Sequence, residues 1–302
     1  VPETYSHAAE RQLCTYGGDA VNLSCEVLTF RRLANRVFSV FGGLAEQTLD
    51  EAGRILLMQQ ALESAAPQLG YYRSSAKIQL LEAMCALVDE LKSACVTPEA
   101  LARAAADASP ALGAKLSDLA VIFAGYSALC ADTRLDARDI LSLCAEKLKG
   151  SGYFDGRDVY LDGFSGFTPQ ELDILKNLRN ANVTAAFTLD SLCDPDPLFL
   201  KPARAAARLM NLLADGHAEV ISLEPPRRAS GLAHLETHLF RFSGAPGTCE
   251  GGEVRFHYAP DIYSECEYAA AQARMLLQQG ARLRDIAVAA GDFETYRLPL
   301  CA

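Results

Sequence analysis

The sequence predicts an α/β fold: a parallel sheet covered by helices, interrupted by an all-helical insert and followed by the start of a second α/β domain. Three observations carry this prediction. Apolar runs at 21–30, 157–162, 182–189 and 218–223 alternate with helical periodicity at 31–41, 169–180 and 199–214, and strands that alternate with helices imply parallel pairing through crossovers. Residues 49–148 show almost unbroken helical character. Beyond a polar stretch at 224–252, a strand, helix and strand pattern resumes at 253–258, 264–279 and 285–290.

The elements follow in order. Residues 21–30 (VNLSCEVLTF) read as a strand, and from Arg31 to Phe41 the pattern turns helical, with Leu33, Val37 and Val40 at core spacing and Gly42-Gly43 as the stop. The insert divides into helices at 50–65, 72–94, 98–107, 110–131 and 137–149, broken by Pro67–Gly70 and Thr97-Pro98, the last helix capped by Asp136. After Gly150–Gly152 comes the strand 157–162. The helix behind it is well specified: Thr168 caps, Pro169 suits the first helical position and Glu171 completes a capping box. The segment around Pro225-Pro226 and SGAPGTCEGG reads as a linker with one short helix at 231–240, and the helix 264–279 has Ser264 as cap with Glu267 at the capping-box position. The expected organisation is a core domain in two parts, 1–43 and 151–224, an insert at 44–150, a linker at 225–252 and a second domain at 253–302.

Composition narrows the function classes. A chain of 302 residues, half of them apolar, holds about two domains and buries a sizeable core. Its net charge of −10 repels polyanions as a whole, which argues against a general nucleic-acid coat and confines any such contact to a local groove. The ten cysteines, at 14, 25, 85, 95, 130, 144, 193, 249, 266 and 301, form no C-x-x-C pair. They read as free thiols of a reducing cytoplasm rather than disulfides or metal ligands. No apolar stretch reaches the ~18 residues of a membrane span; the longest, Leu116 to Cys130, is interrupted by Asp118. The chain opens on Val1 without a Met and is expected to be a piece of a longer protein.

Few residues announce chemistry. The run VYLDGFSGFTPQ at 159–170 delivers Asp162 at a strand end and then Gly163; on local pattern it is an ordinary strand-to-helix turn with an exposed carboxylate. His234 and His238 share one helix face, but Glu236 points about 200° from His234, so the metalloprotease pattern H-E-x-x-H is not met. Asp194 and Asp196 alternate with prolines as a turn requires, and Asp190 reads as a cap of that turn. The histidines at 7, 217, 234, 238 and 257 suggest no nucleophilic triad.

Several stretches together do carry a resemblance: VPETYSHAAER at the start, VLTFRRLANRVF at 27–38, LDEAGRILLMQQALE at 49–63, VYLDGFSGFTPQELDIL at 159–175, LAHLETHLF at 232–240, and SECEYAAAQARMLL with RLRDIAVAAGDFETY at the end. In this order they resemble the AddB/RexB family, the B-type subunits of the bacterial ATP-dependent helicase-nuclease that processes double-strand DNA ends. The resemblance implies a superfamily 1 helicase-like, P-loop NTPase-like core. It implies heterodimer formation with the A-type subunit of the helicase-nuclease, and single-stranded DNA as a ligand. In the family a phosphate-binding G-x-x-x-x-G-K-[ST] loop lies upstream of the V-P-E stretch and an iron-sulfur site far downstream; ATP with Mg²⁺ and the cluster therefore belong to the full-length protein, and no cofactor is expected in this stretch.

Carried over position by position, the resemblance makes Thr4, Ser6, Phe30, Arg32, Asn35 and Arg36 the candidate DNA contacts. Hydroxyls suit phosphates or base edges, an aromatic ring suits stacking, and arginines supply charge. The resemblance makes the family position at Asn35 aromatic, so the stacking platform at that position is expected to be lost here. In an ATP-driven motor an Asp-Glu pair ends the strand, the Asp holding Mg²⁺ and the Glu orienting water. Here Asp162 is followed by Gly163, and Gly291 stands where an arginine reaches the γ-phosphate, so these three residues read as a degenerate nucleotide site. The expectation is a non-hydrolysing module that guides single-stranded DNA. The alternatives are an active helicase subunit whose phosphate loop lies upstream, and an interaction scaffold with a helicase-derived fold.

Overall fold

Several helices in this chain begin where a short polar side chain accepts a hydrogen bond from the backbone three residues ahead. In the computed structural model, which describes residues 1–43, 49–72, 78–133, 139–214, 218–223, 228–239 and 253–301, Thr29 caps α2 (Phe30–Phe41), Asp50 caps α3 (Glu51–Ala65) and Thr97 caps α5 (Pro98–Ala106). Ahead of them runs α1 (Ser6–Gly17), and between and after them α4 (Ile78–Ser93), α6 (Pro110–Thr133) and α7 (Ile140–Leu148). Asp136, expected to cap α7, lies outside the described residues, as do His217, Cys249 and the SGAPGTCEGG stretch.

The described residues form two compact units, Val1–Val220 and Ile221–Ala302. In the first, β1 (Asp158–Leu161) and β2 (Asn182–Ala185) pair in parallel, Asp158 opposite Asn182 and Leu161 opposite Ala185. Between them stands α8 (Pro169–Leu175), whose predicted capping box is complete: Glu171 N donates to Thr168 Oγ1 at 3.2 Å and Thr168 N to Glu171 Oε2 at 2.7 Å. α9 (Leu200–Ala214) follows β2. This is α/β in character, mostly helical, with a two-stranded parallel sheet.

Two apolar clusters divide the first unit. One lies within the helical insert and is built from α3, α4, α5 and α6 around Met58, Leu69, Ile122 and Tyr126. The other joins α2, α7, α8 and α9 to the sheet through Val37, Cys144, Leu161, Ile174 and Leu209. α7 thus packs with α2 and α8, although its sequence groups it with the insert. Burial pushes the Cys144 thiol up to about 12, as expected of an inert core cysteine.

Asp118, which the sequence shows only as an interruption of an apolar run, is buried on α6 and accepts the backbone N–H groups of Gly70, Tyr71 and Tyr72 at 3.1, 2.7 and 2.9 Å. It caps a loop 46–48 residues away. α6 runs 24 residues and, contrary to the expectation from the apolar runs, is long and apolar enough by length and composition to cross a membrane; Ala120, Ile122, Phe123 and Tyr126 place one face in the insert's core. Buried Arg54 is satisfied by Asp89 and by the Tyr126 hydroxyl at 3.3 Å. Lys92 reaches Asp139 at 2.8 Å, tying the insert to the residue before α7.

The expected strands at 21–30, 218–223, 253–258 and 285–290 are not strands. Asp19–Leu23 is a 3-10 turn, and the remaining stretches have no ladder partner among the described residues. Apolar composition reports that a segment suits an extended path; a strand exists only where another strand pairs with it. The second unit holds α10 (Ser230–His238), α11 (Ile262–Gln278) and α12 (Phe293–Cys301), the last not foreseen from the sequence. α11 begins two residues earlier than expected because Asp261, not Ser264, is its cap: Asp261 Oδ1 accepts from Ser264 N at 2.9 Å.

Candidate functional site

β1 ends at Leu161, so Asp162 is the first residue beyond the carboxyl end of the strand, the edge at which open α/β sheets bind ligands. Asp162 is exposed. Gly163 has φ +79°, a backbone conformation that costs an L side chain roughly 1–2 kcal/mol. A Cβ at this position would stand 3.0 Å from Tyr5 Cδ1 and 3.4 Å from Pro2 Cδ. The N-terminal segment therefore lies directly against the turn, with Tyr5 fixed by a hydrogen bond from its hydroxyl to Gln12 Oε1 at 2.9 Å.

The residue after this turn starts a chain of aromatic contacts. Phe164 packs on Phe30 with ring centroids 5.7 Å apart, Phe167 on Phe164 at 4.9 Å, and Phe187 on Phe167 at 6.3 Å. These contacts join the first residue of α2 to the loop before α8 and to the chain leaving β2. Phe30 is half-buried, with one side of its ring against Phe164.

The exposed side of α2 carries Arg31, Arg32, Asn35 and Arg36. Arg32 pairs with Glu10 of α1 and also donates to Val27 O at 3.4 Å; Arg36 Nε lies 3.6 Å from Glu26 Oε2. The hydrogen bond from Arg32 holds the Glu10 carboxyl below the usual range and raises Arg32 in turn. Thr4 is exposed, whereas Ser6 is buried and its hydroxyl donates to Glu3 O at 3.0 Å.

The N-terminal segment, the Asp162-Gly163 turn and the start of α2 thus come together in the first unit. Gly291 belongs to the second unit, at an exposed bend before α12 where a Cβ would meet nothing within 4 Å. What sequence reasoning missed is Tyr5 as the neighbour of Gly163 and Glu10 and Glu26 as the partners of the two arginines. No spacing announces these contacts, because each joins segments that are adjacent only in space.

The other polar motifs have modest roles. Asp190 accepts from Ser191 N at 2.8 Å and Asp196 N at 3.0 Å, capping its turn as expected, and Asp196 caps the next one through Leu198 N at 3.1 Å. Glu236 pairs with Arg228 at 2.9 Å, and the His234 and His238 ring centroids are 4.5 Å apart. Among the described residues no group of three or more His, Cys, Asp or Glu is arranged to hold a metal ion.

Comparison with known proteins gives a consistent picture. The B-type subunit of an ATP-dependent helicase/deoxyribonuclease from Thermoanaerobacter sp. (strain X514) is 29% identical over 98% of this chain and 27% of its own length. The protein of the same name from Heliobacterium modesticaldum is 31% identical over 98% of this chain and 26% of its own, and that from Clostridium tetani 28% identical over 98% and 28%. The chain spans about a quarter of the length of these relatives. A family described as ADDB, N-terminal, matches residues 1–236, which takes in the N-terminal segment, the insert, the Asp162-Gly163 turn and both strands; the chain belongs to this family.

Proposed function

We propose that the chain is the helicase-like, non-hydrolysing N-terminal part of an AddB-type subunit of an ATP-dependent helicase-nuclease, a cytoplasmic heterodimer with an A-type subunit that acts in double-strand break repair and recombination. Its role in that assembly is to bind and guide single-stranded DNA across the carboxyl edge of a P-loop NTPase-like sheet, while the partner supplies the motor. ATP with Mg²⁺ and the iron-sulfur cluster, where the full-length protein holds them, lie outside this stretch.

The observation that carries the reading is Gly163. A motor needs a carboxylate there to orient the attacking water. The positive φ and the Tyr5 ring leave a side chain at this position neither a relaxed backbone nor free space. A phosphate entering the exposed face of α2 would exchange with Glu10 at Arg32 and with Glu26 at Arg36, substituting one anion for another without burying an uncompensated charge. Thr4 and Asn35 stand exposed as further polar contacts, whereas Ser6 and Phe30 support the surface from below.

The test uses the full-length protein with its partner subunit and a fluorescein-labelled 25-nucleotide strand. Arg32→Ala is expected to weaken binding roughly fivefold and to reduce the slope of log affinity against log salt by about 0.7, the loss of one phosphate contact. With the partner's motor inactivated by substitution, DNA-stimulated ATP turnover should vanish. Robust turnover that persists would sink the non-hydrolysing reading; unaltered DNA binding by the Arg32→Ala complex would favour a scaffold.

A further inference from the structure

α9 gives the first unit a second charged surface. Lys201, Arg204 and Arg208 fall at spacings of three and four residues, which places them within about 60° of one another on one helix face, along roughly 10 Å of its length. All three are exposed, and among the described residues none has an ion pair or hydrogen bond. In this they differ from Arg32, Arg36, Arg54 and Lys92, each of which meets a carboxylate. The opposite face of α9, through Ala203, Ala206 and Leu209, is buried. In a chain of net charge −10, three such cations in a row are a local reversal of the field.

At its Arg208 end the stripe meets a groove of about 390 Å³ between α8 and α9, lined by Pro169, Leu172 and Leu212 with Asp173, Lys176, Arg208 and Asn211. Lys176 is already matched by Asp173, so the net positive charge comes from α9. The groove lining has no aromatic ring on which a base could stack. Aliphatic walls beside a cationic helix face instead match an amphipathic helix that lays apolar residues into the groove and carboxylates along the α9 stripe.

From this geometry we infer that the α8–α9 groove docks an acidic amphipathic helix of the partner subunit. The inference rests on the heterodimer of the proposed function. It adds a docking site on the first unit, with Arg204 and Arg208 as the cations that select the partner and Leu172 and Leu212 as its apolar seat.

The experiment measures subunit affinity by biolayer interferometry, full-length chain against full-length partner, for the unsubstituted protein, for Arg204→Glu with Arg208→Glu, and for Arg204→Lys with Arg208→Lys. Lys201 is left intact because its stem lies beside Gly166. Charge reversal is expected to weaken association about tenfold or more, chiefly through slower association that is sensitive to salt. The lysine pair should retain most of the affinity, with an unchanged melting temperature and unchanged binding of the 25-nucleotide strand. Hydrogen exchange at 169–176 and 200–212 should slow when the partner binds.

If the unsubstituted chain pairs with its partner and the charge-reversed chain pairs equally well, the groove is not the docking site and only this inference falls. If reversal lowers DNA binding while sparing the partner, the face is a nucleic-acid surface and the inference is likewise overturned. If no partner associates even with the unsubstituted chain, the heterodimer reading falls first and this one with it.

Discussion

Replacing Gly163 by Glu restores on paper the carboxylate that a water-activating strand end would carry, and the structure predicts that the protein resists it. Two costs add. A non-glycine residue at φ +79° costs roughly 1–2 kcal/mol of backbone strain. A Cβ 3.0 Å from Tyr5 Cδ1 also forces the ring aside, an overpacking that typically costs about 1–3 kcal/mol. The sum, about 2–5 kcal/mol, converts to a fall in melting temperature of roughly 5–15 °C for a unit of this size. Thermal unfolding followed by circular dichroism measures it. Gly163→Ala should show most of the same loss, since the costs arise at the backbone and Cβ. In a double-mutant cycle with Tyr5→Ala the steric part should appear as a coupling of about 1 kcal/mol or more, and the strain part should remain. A Gly163→Glu protein that melts within a degree of the parent would refute the packing argument. One that melts normally and also hydrolyses ATP when DNA is added would refute the functional reading built upon it.

Two further predictions concern carboxylates. Asp118→Asn keeps the shape of the side chain but turns an N–H group toward the backbone donors of residues 70–72, so it should destabilise by about 1–3 kcal/mol, and Asp118→Ala by more, in urea unfolding monitored at 222 nm. Glu10, held below its ordinary value by Arg32, adds stability that is fully present above the usual carboxylate range and is lost as pH falls through the depressed value. A carboxyl NMR titration should find the low midpoint and find it restored in Arg32→Ala, while Glu10→Gln, by freeing Arg32, should strengthen single-strand binding about twofold or more at low salt.

Much of this fold can be read along the chain because the signals are local. The capping box at Thr168 and Glu171, the break at Thr97-Pro98, and the helical period of the insert each lie within one or two turns of the residues they organise. The unread parts are those set by distant partners. Asp118 looks like a blemish in an apolar run because its three donors are nearly fifty positions earlier. The segments at 218–223, 253–258 and 285–290 have strand-like composition, but pairing is a property of two segments. At the candidate site the residue types at Asp162 and Gly163 can be read directly, yet the meaning of the glycine depends on Tyr5. The α9 stripe stands at helical spacing in the sequence, and its significance lies in the lack of carboxylate partners among the described residues, which only the packed structure reveals.

The placement of α7 with α2 also shapes how the chain reaches its native state. The insert leaves and re-enters the sheet unit at nearly one point: a Cβ on Gly43 would touch Lys147, whose ammonium lies 5.9 Å from the centre of the Phe38 ring. To form this contact, α2 must find a helix about a hundred residues later, and closing so long a flexible loop is slow and entropically costly. The insert's own cluster is made from helices close in sequence and does not need the sheet to form. By folding first it shortens the effective loop and delivers α7 to α2, so substitutions in the core of the insert should slow assembly of a sheet they never touch.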